Sequence, residues 1–425
     1  MRNEMFQQAW HTRCTRPVVN ASPPTHPSVY MMVLIAAVCL LIWLVLTFGR
    51  AGFWHFKDVK RVSSLSKDAS WPTVVAVVPA RNEAAHIGGC VRALLSQQYP
   101  GKFTVVVVDD SSADATAATA MRAAADLEAN ERLAVIPARA LPSGWTGKVW
   151  AQSEGVEYVR SRVTAGDDLA TYLWFTDADI VHRPGVLQGL VAEALDDNLV
   201  LNSHMVHLRC TSFAERALIP AFVFFFAMLY PFPAVNDQRR RCAAAAGGSM
   251  LIARGALDAA GGLSRIRGAL IDDCALAALL KREGPIRLAL GHASFSIRPY
   301  PGFTDIWSMV ARTAYTQLGY SPWVLAGTVI GLCMTYLAPP VIALTAHGLA
   351  AALAGLAWVL MAICFLPIAR YYRRSLAWGV VLPVIAAFYL SATIGSAWQH
   401  ARGRGGQWKD RHQAGAAAGA GADTE

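Results

Sequence analysis

The chain reads as an α/β domain with a mostly parallel sheet, inserted between an N-terminal membrane helix and a C-terminal bundle of apolar helices. Three observations predict this. The apolar, strand-length runs in VVAVVPARNE, FTVVVVDDSS and YLWFTDADI each lead into a loop carrying an acid. Buried parallel strands have that composition, and open α/β sheets bind nucleotides at their carboxyl ends. Segments with helical periodicity follow the first two runs, the alternation that right-handed crossovers produce. Charge is also unevenly spread. Of 425 residues 54% are apolar and 16% charged, against roughly 25% charged in soluble domains, and the deficit lies at the two ends.

Residues 29–48, VYMMVLIAAVCLLIWLVLTF, carry no charge and are long enough to cross about 30 Å of hydrocarbon. Arg2, Arg13 and Arg16 precede them, so a cleaved signal peptide competes. Signals have apolar stretches of about 7–15 residues that close on small side chains, whereas this run is longer and meets Phe48-Gly49-Arg50. The expected division is an N-terminal segment at 1–28, an uncleaved anchor at 29–49 and a soluble domain at 50–320.

Within that domain, residues 74–78 form the first predicted strand, ending at Pro79, with Ala80-Arg81-Asn82-Glu83 as a loop and 84–95 as a helix. Residues 103–108 form the second, ending in Asp109-Asp110. Adjacent carboxylates at a strand end repel each other and are useful only when a cation or donor arrives, which points to a ligand for Asp110 and leaves Asp109 open. Ser112 and Asp114 are expected as N-caps of the Ala-rich helix that follows. Pro79, Arg81, Glu83, Asp109 and Asp110 are the candidate substrate-binding residues at these strand ends.

Residues 171–176 form another buried strand, followed by Asp177-Ala178-Asp179. In an extended segment the carboxylates flanking Ala178 project to one side and can hold a hard divalent cation such as Mg²⁺ or Mn²⁺. Such an ion neutralises charge on a departing diphosphate. Asp272-Asp273 opens a helix that stops at Gly284-Pro285. Asp272 is expected as its N-cap, and an Asp273 kept ionised near the helix N-terminus suits a general base. Gly247-Gly248-Ser249 and Gly261-Gly262 read as close turns, either bordering a substrate pocket or serving plain turn chemistry. Lys148 lies in a glycine-punctuated loop, either on a phosphate or solvated. Arg312 lies just before the next apolar segment, either on the leaving diphosphate or facing lipid phosphate.

Residues 218–235, LIPAFVFFFAMLYPFPAV, are aromatic, broken by Pro220, Pro231 and Pro233, and followed by Arg239-Arg240-Arg241. An interfacial segment over 218–241, open to a lipid acceptor, fits better than a crossing. Three apolar candidates near 323–346, 348–369 and 376–398 make up a membrane region at 321–400. An uncharged turn at His347-Gly348 separates the first two, and Arg370, Arg373 and Arg374 follow the second. By the positive-inside rule the soluble domain faces the cytosol. Arg402, Arg404, Lys409 and Arg411 in the tail disagree if the last candidate crosses, so either it does not cross or the charge bias fails there. Residues 413–425 are Ala/Gly-rich and expected to be disordered.

The net charge of +9 and pI near 9.2 fit attraction to anionic lipid better than nucleic-acid binding in so apolar a chain. Eight cysteines show no Cys-x-x-Cys or Cys/His spacing, which predicts reduced thiols and no zinc site.

Together, Glu83, Asp109-Asp110, Asp177-x-Asp179 and Asp272-Asp273 resemble the ordered motifs of family 2 glycosyltransferases of the GT-A (nucleotide-diphospho-sugar transferase) fold, over about residues 71–320. GKVWAQSEG and WSMVARTAYTQLGYS, with the flanking apolar segments, resemble the hopene-associated branch, related to ceramide glucosyltransferases. The resemblance implies that Glu83 and Asp110 hold the nucleoside, that Asp177 and Asp179 form the metal-diphosphate motif and that Asp273 is the base. Processive relatives carry Gln-x-x-Arg-Trp near the membrane; here Met309, Arg312 and Thr313 stand there, so transfer of a single sugar is expected. The implied enzyme is a metal-dependent, inverting hexosyl- or N-acetylhexosaminyl-transferase of the inner membrane. It would move a sugar from a nucleotide-sugar, expected to be UDP-linked, to a lipid hydroxyl, a hopanoid among the candidates. Transfer to polyprenyl phosphate, processive synthesis, and a nucleotide-sensing scaffold or transporter are the alternatives.

Overall fold

The computed structural model describes residues 27–56, 70–164 and 171–403, with the backbone of 407–408 and 411–412. The segment before residue 27, the basic flank Lys57, Lys60, Arg61 and Lys67, the tail charges Arg404 and Lys409, and residues 413–425 lie outside the described residues.

Eight strands form one mixed sheet: β1 (Val74–Ala80), β2 (Phe103–Asp109), β3 (Leu133–Pro137), β4 (Tyr172–Phe175), β5 (Ile180–His182), β6 (Leu201–His207), β7 (Met250–Ala253) and β8 (Ile286–Ser296). Their order is β3-β2-β1-β4-β7-β6-β8-β5. The first four of that order are parallel; β7 pairs antiparallel with both β4 and β6. The parallel half is apolar on both sides, as sheets covered by helices on both faces are. Val75, Val77, Val106, Val108, Leu173 and Phe175 point into one core. Val74, Ala76, Val78, Val105, Val107 and Trp174 point into the other, under the Ile87–Leu95, Thr116–Ala125 and Val186–Asp196 helices.

β1 runs two residues further than its sequence pattern indicates and includes Pro79. Pairing with β4 ends at Val77, while pairing with β2 continues to Ala80. Pro79 therefore sits where one side of the strand no longer needs ladder donors. On the other face, Gly155 of the Gly147–Thr164 helix sits so close that an added Cβ would lie 2.5 Å from Val77 Cγ1.

The helix expected from residue 84 begins at Ile87. Residues 82–84 give their N–H groups to the next loop instead: Asn82 N to Ser112 Oγ (3.0 Å), Glu83 N to Thr116 Oγ1 (2.8 Å) and Ala84 N to Asp114 Oδ2 (3.1 Å). Ser112 and Asp114 thus lash the first two strand ends together, and the cap position of the Thr116–Ala125 helix is Ala115.

The segment expected from 218 is a helix over Phe213–Leu229, continuous through Pro220. It starts on a capping box in which Ser212 Oγ accepts from Glu215 N and Glu215 accepts from Ser212 N, a signature present as Ser-x-x-Glu in the sequence. At its far end Arg50 donates to the carbonyls of Met228 and Leu229 at 3.1 and 3.0 Å, closing orphan acceptors of the last turn.

By length and composition three described helices are apolar enough to cross a membrane: Val29–Gly49, Pro322–Thr345 and Gly348–Tyr371. Ala36 packs with Ala350 and Ala354, and Thr47 Oγ1 lies 3.4 Å from Cys364 Sγ, so the first and last of these run in the same direction. Arg50 and Arg370–Arg374 consequently share one end of the bundle. The sheet sits at that end, where the Tyr372 ring lies 4.5 Å from His207 and the Tyr371 hydroxyl donates to the Gly291 carbonyl. The fourth candidate, near 376–398, forms a 3-10 turn at Leu376–Gly379 and a helix at Leu382–Ala401, which is not among the three.

Candidate active site

The carboxyl ends of β2, β1 and β4 lie side by side at one edge of the sheet. In the two loops after β1 and β2, Asn82 and Ser111 adopt φ of +51° and +53°, backbone that non-glycine residues rarely hold outside constrained sites. Arg81 crosses between the loops, its Nη1 2.5 Å from the Asp110 carbonyl and 3.9 Å from the Asp110 carboxylate, which is buried. Asp109 differs: its Oδ1 accepts the Ser112 N–H at 3.1 Å, so it shapes the loop. Pro79 is likewise buried within β1, paired opposite Val108.

Past β4 the chain turns rather than staying extended, with Ile180 N donating to the Asp177 carbonyl at 3.2 Å. The expectation of two parallel carboxylates therefore needs correction. Asp177 and Asp179 remain neighbours, but each engages its own cation. Asp177 Oδ1 lies 2.9 Å from Lys148 Nζ. Asp179 Oδ2 accepts Arg298 Nε at 2.6 Å, and Arg298 Nη2 also reaches Glu83 Oε1 at 2.5 Å.

Lys148 is the hub of the other half. It occupies the first turn of the Gly147–Thr164 helix, not a loop, and its ammonium also lies 3.2 Å from Asp272 Oδ2. Asp272 is not an N-cap, since that position is Ile271; its carboxylate is held by Lys148 and by Gln152 Nε2 at 3.3 Å. Asp273 Oδ2 accepts the Gly247 N–H at 3.0 Å and Oδ1 the Cys274 N–H at 2.8 Å. A Cβ added to Gly247 would sit 3.1 Å from Lys148 Nζ and 3.5 Å from Asp273 Oδ2, so its bareness keeps the cation and the carboxylates together. Gly248, the expected pocket residue, packs on Val206 and offers its carbonyl to Thr176 Oγ1 at 2.8 Å. Gly247 takes its place at the site. Gly261 and Gly262 form a left-handed turn beside Arg265 and Arg160, which is turn chemistry.

The electrostatics follow from burial. Asp273 is pushed up to about 6, first by desolvation and then by Asp272, with Lys148 opposing. Burial, and then Asp177, also lift Asp179 against the pull of Arg298. Burial alone would strip the proton from Lys148, yet Asp177, Asp272 and Asp273 together hold it above its ordinary range. Tyr300 faces the same region: burial raises its phenol, with Arg298, Asp179, Arg312 and Asp177 contributing in turn. Arg312, exposed at the end of the Phe303–Ala311 helix, is thus close enough to act on Tyr300 electrostatically.

Sequence reasoning missed Arg298, Tyr300 and Tyr230. Arg298 lies two residues past β8, where only an Arg-Pro-Tyr-Pro string marks it. Tyr230 follows the Phe213–Leu229 helix; its hydroxyl accepts from Gln317 Nε2 at 2.6 Å, and burial, with Cys274 and Asp273 nearby, moves it up to about 12.

Among the described residues no three His, Cys, Asp or Glu side chains form a metal-ligating group. Asp177 and Asp179 offer two hard oxygen ligands side by side, a set that fits Mg²⁺ or Mn²⁺ only when phosphate and water complete the shell.

Residues 75–260 match the family described as Glycosyl transferase family 2. Over those residues the chain is similar to family 2 glycosyltransferases. The fold of this domain is GT-A, and the match supports glycosyl transfer from a nucleotide-sugar. Among solved structures, the mannosyltransferase PcManGT from Pyrobaculum calidifontis, in complex with GDP-Man and Mn²⁺, is similar at TM-score 0.53 and 16% identity, over 87% of this chain and 99% of that one. Glucosyl-3-phosphoglycerate synthase from Mycobacterium tuberculosis matches at TM-score 0.35 and 19% identity, over 58% and 79%. S. aureus TarS in complex with UDP-GlcNAc matches at 0.35 and 12%, over 78% and 92%. At these scores only the first bears on the fold. No curated protein matches the chain.

Proposed function

We propose that this protein is a membrane-anchored inverting glycosyltransferase that moves one sugar from a nucleotide-sugar to a lipid hydroxyl, with Asp273 as general base. The carrying observation is that Lys148 joins Asp177, Asp272 and, through Gly247, Asp273 at one point. In this reading the base and the diphosphate-binding acids flank a single reacting centre.

In this reading Glu83 and Asp110 border the nucleoside, and Arg81 orders their loops. Asp177 and Asp179 would hold Mg²⁺ or Mn²⁺, which when bound supplies positive charge to the leaving diphosphate. Lys148 adds a second positive charge there. Asp273 removes the acceptor proton as the oxygen attacks the anomeric carbon, and the bond to the diphosphate breaks on the far side. The neighbouring fold binds GDP-Man in PcManGT, so the choice of UDP rests on the family resemblance alone. That resemblance also carries a hopanoid or similar polycyclic lipid as acceptor, single transfer, and an inner-membrane site. The basic residues at the catalytic end of the bundle support a cytosolic active site.

Asp273→Asn tests the base. Turnover with a UDP-sugar and membrane lipid extract should fall by about 10²–10⁴-fold, while nucleotide binding by calorimetry stays near wild type. Wild-type turnover in that variant rejects the assignment.

A further inference from the structure

We propose that residues 375–401 form a re-entrant segment held in the leaflet beside the catalytic domain, and that the acyl chains of this one leaflet are its partner. The inference rests on the three crossing helices, not on glycosyl transfer.

The segment begins on the catalytic side. Tyr371 and Tyr372 pack against His207, and Arg374 follows. The chain then runs back along the last crossing helix. Trp358 Nε1 donates to the Val380 carbonyl at 3.0 Å, and Gly379 presses on Ala362, where an added Cβ would lie 2.9 Å from the Ala362 carbonyl oxygen. Ala362 precedes Tyr371 by nine residues, about 13 Å at 1.5 Å per residue, so Gly379 reaches roughly half the depth of the hydrocarbon layer.

The Leu382–Ala401 helix then returns. Trp307 of the soluble domain fills the space above Gly395, leaving no room for a Cβ. Ser396 Oγ accepts the Tyr315 N–H at 3.0 Å. The His400 ring stacks on Tyr320 at 4.4 Å. Tyr320 precedes Pro322, where the Pro322–Thr345 crossing starts on the catalytic side. A crossing helix would instead deliver His400 to the level of the 346–348 turn, 24 residues or about 36 Å of helix away.

The exposed face fits a lipid partner. Val384 is 73% and Trp398 60% exposed, with Leu376, Val380 and Ile394 also open; these continue the apolar surface of the crossing helices. The Arg402 guanidinium lies over Trp398 at 4.4 Å from the ring centre, a pairing suited to headgroup depth. This path puts Arg402 at the same end as Arg50, Arg370, Arg373 and Arg374, and the tail charges then agree with the positive-inside rule.

The test uses the full chain in sealed membrane vesicles of known orientation. Trypsin is added outside, and mass spectrometry reads cleavage after Arg373 or Arg374 and after Arg402, Arg404 or Lys409. Both groups should be cut from the same side. An epitope tag after Gly403 gives a second readout, and a tag at the 346–348 turn marks the other side. Cleavage of the tail from the side that exposes the turn, or a Gly403 tag that tracks the turn tag, overturns the proposal.

Discussion

At the residue scale the site is a charge lattice in which each acid is defined by its cation. Asp273 carries the largest consequence. Its carboxyl is lifted from an ordinary 3.8 to about 6. Its share of fold stability is therefore fully present below the ordinary value and lost as pH rises through about 6, whereas the base role proposed for it would begin only above that point. Stability and catalysis pull the same group in opposite directions. Lys148 moderates the conflict by drawing the carboxyl down. In Lys148→Met, residual activity should drop by about tenfold or more, and the acid limb of the pH–rate profile should move to higher pH. An unmoved limb would show that Lys148 does not tune the base. Arg298 sits on the acid expected to meet the metal. In Arg298→Gln, Glu83 and Asp179 lose their internal cation, so Mn²⁺ should bind about tenfold tighter without nucleotide, as read by electron paramagnetic resonance. Weaker Mn²⁺ binding would mean that Arg298 orders the site instead of competing for it.

At the element scale, helix-to-sheet spacing aims these residues. The Gly147–Thr164 helix brings Lys148 to β4 because Gly155 lets its backbone settle onto Val77 and Val108. A methyl there overpacks the layer, so Gly155→Ala should cost about 1–3 kcal/mol, seen as a lower Tm. Pairing it with Val77→Ala should recover most of the loss. Equal Tm values for the single and double variants would place the strain elsewhere. Lys281 does comparable work on the loop before Gly247. Its buried ammonium donates to the carbonyls of Val235 (2.7 Å) and Cys242 (2.6 Å), pinning the loop that leads to Gly247.

At the scale of the whole molecule, domain and bundle share one core. Cys39, Trp43, Phe53, Phe224 and Phe365 belong to the same buried cluster as Val77, Val108 and Phe175. Residues 50–320 alone would expose the faces of Phe53 and Phe224, so this fragment should self-associate in detergent-free buffer on size exclusion. A monomeric fragment with a cooperative melt would contradict the shared core. The unbroken apolar pattern of three strands, the acids at their ends and the long uncharged segments were all legible in the sequence, because period, length and composition are local properties. So was the order of motifs that carries the resemblance to family 2 glycosyltransferases. Only the tertiary structure decided which acid meets which cation, that Gly247 rather than Gly248 borders the site, that Arg298 enters from beyond β8, and that the last helix turns back. Each of these depends on contacts between segments far apart in the chain, and neither periodicity nor spacing records which distant surfaces will be pressed together.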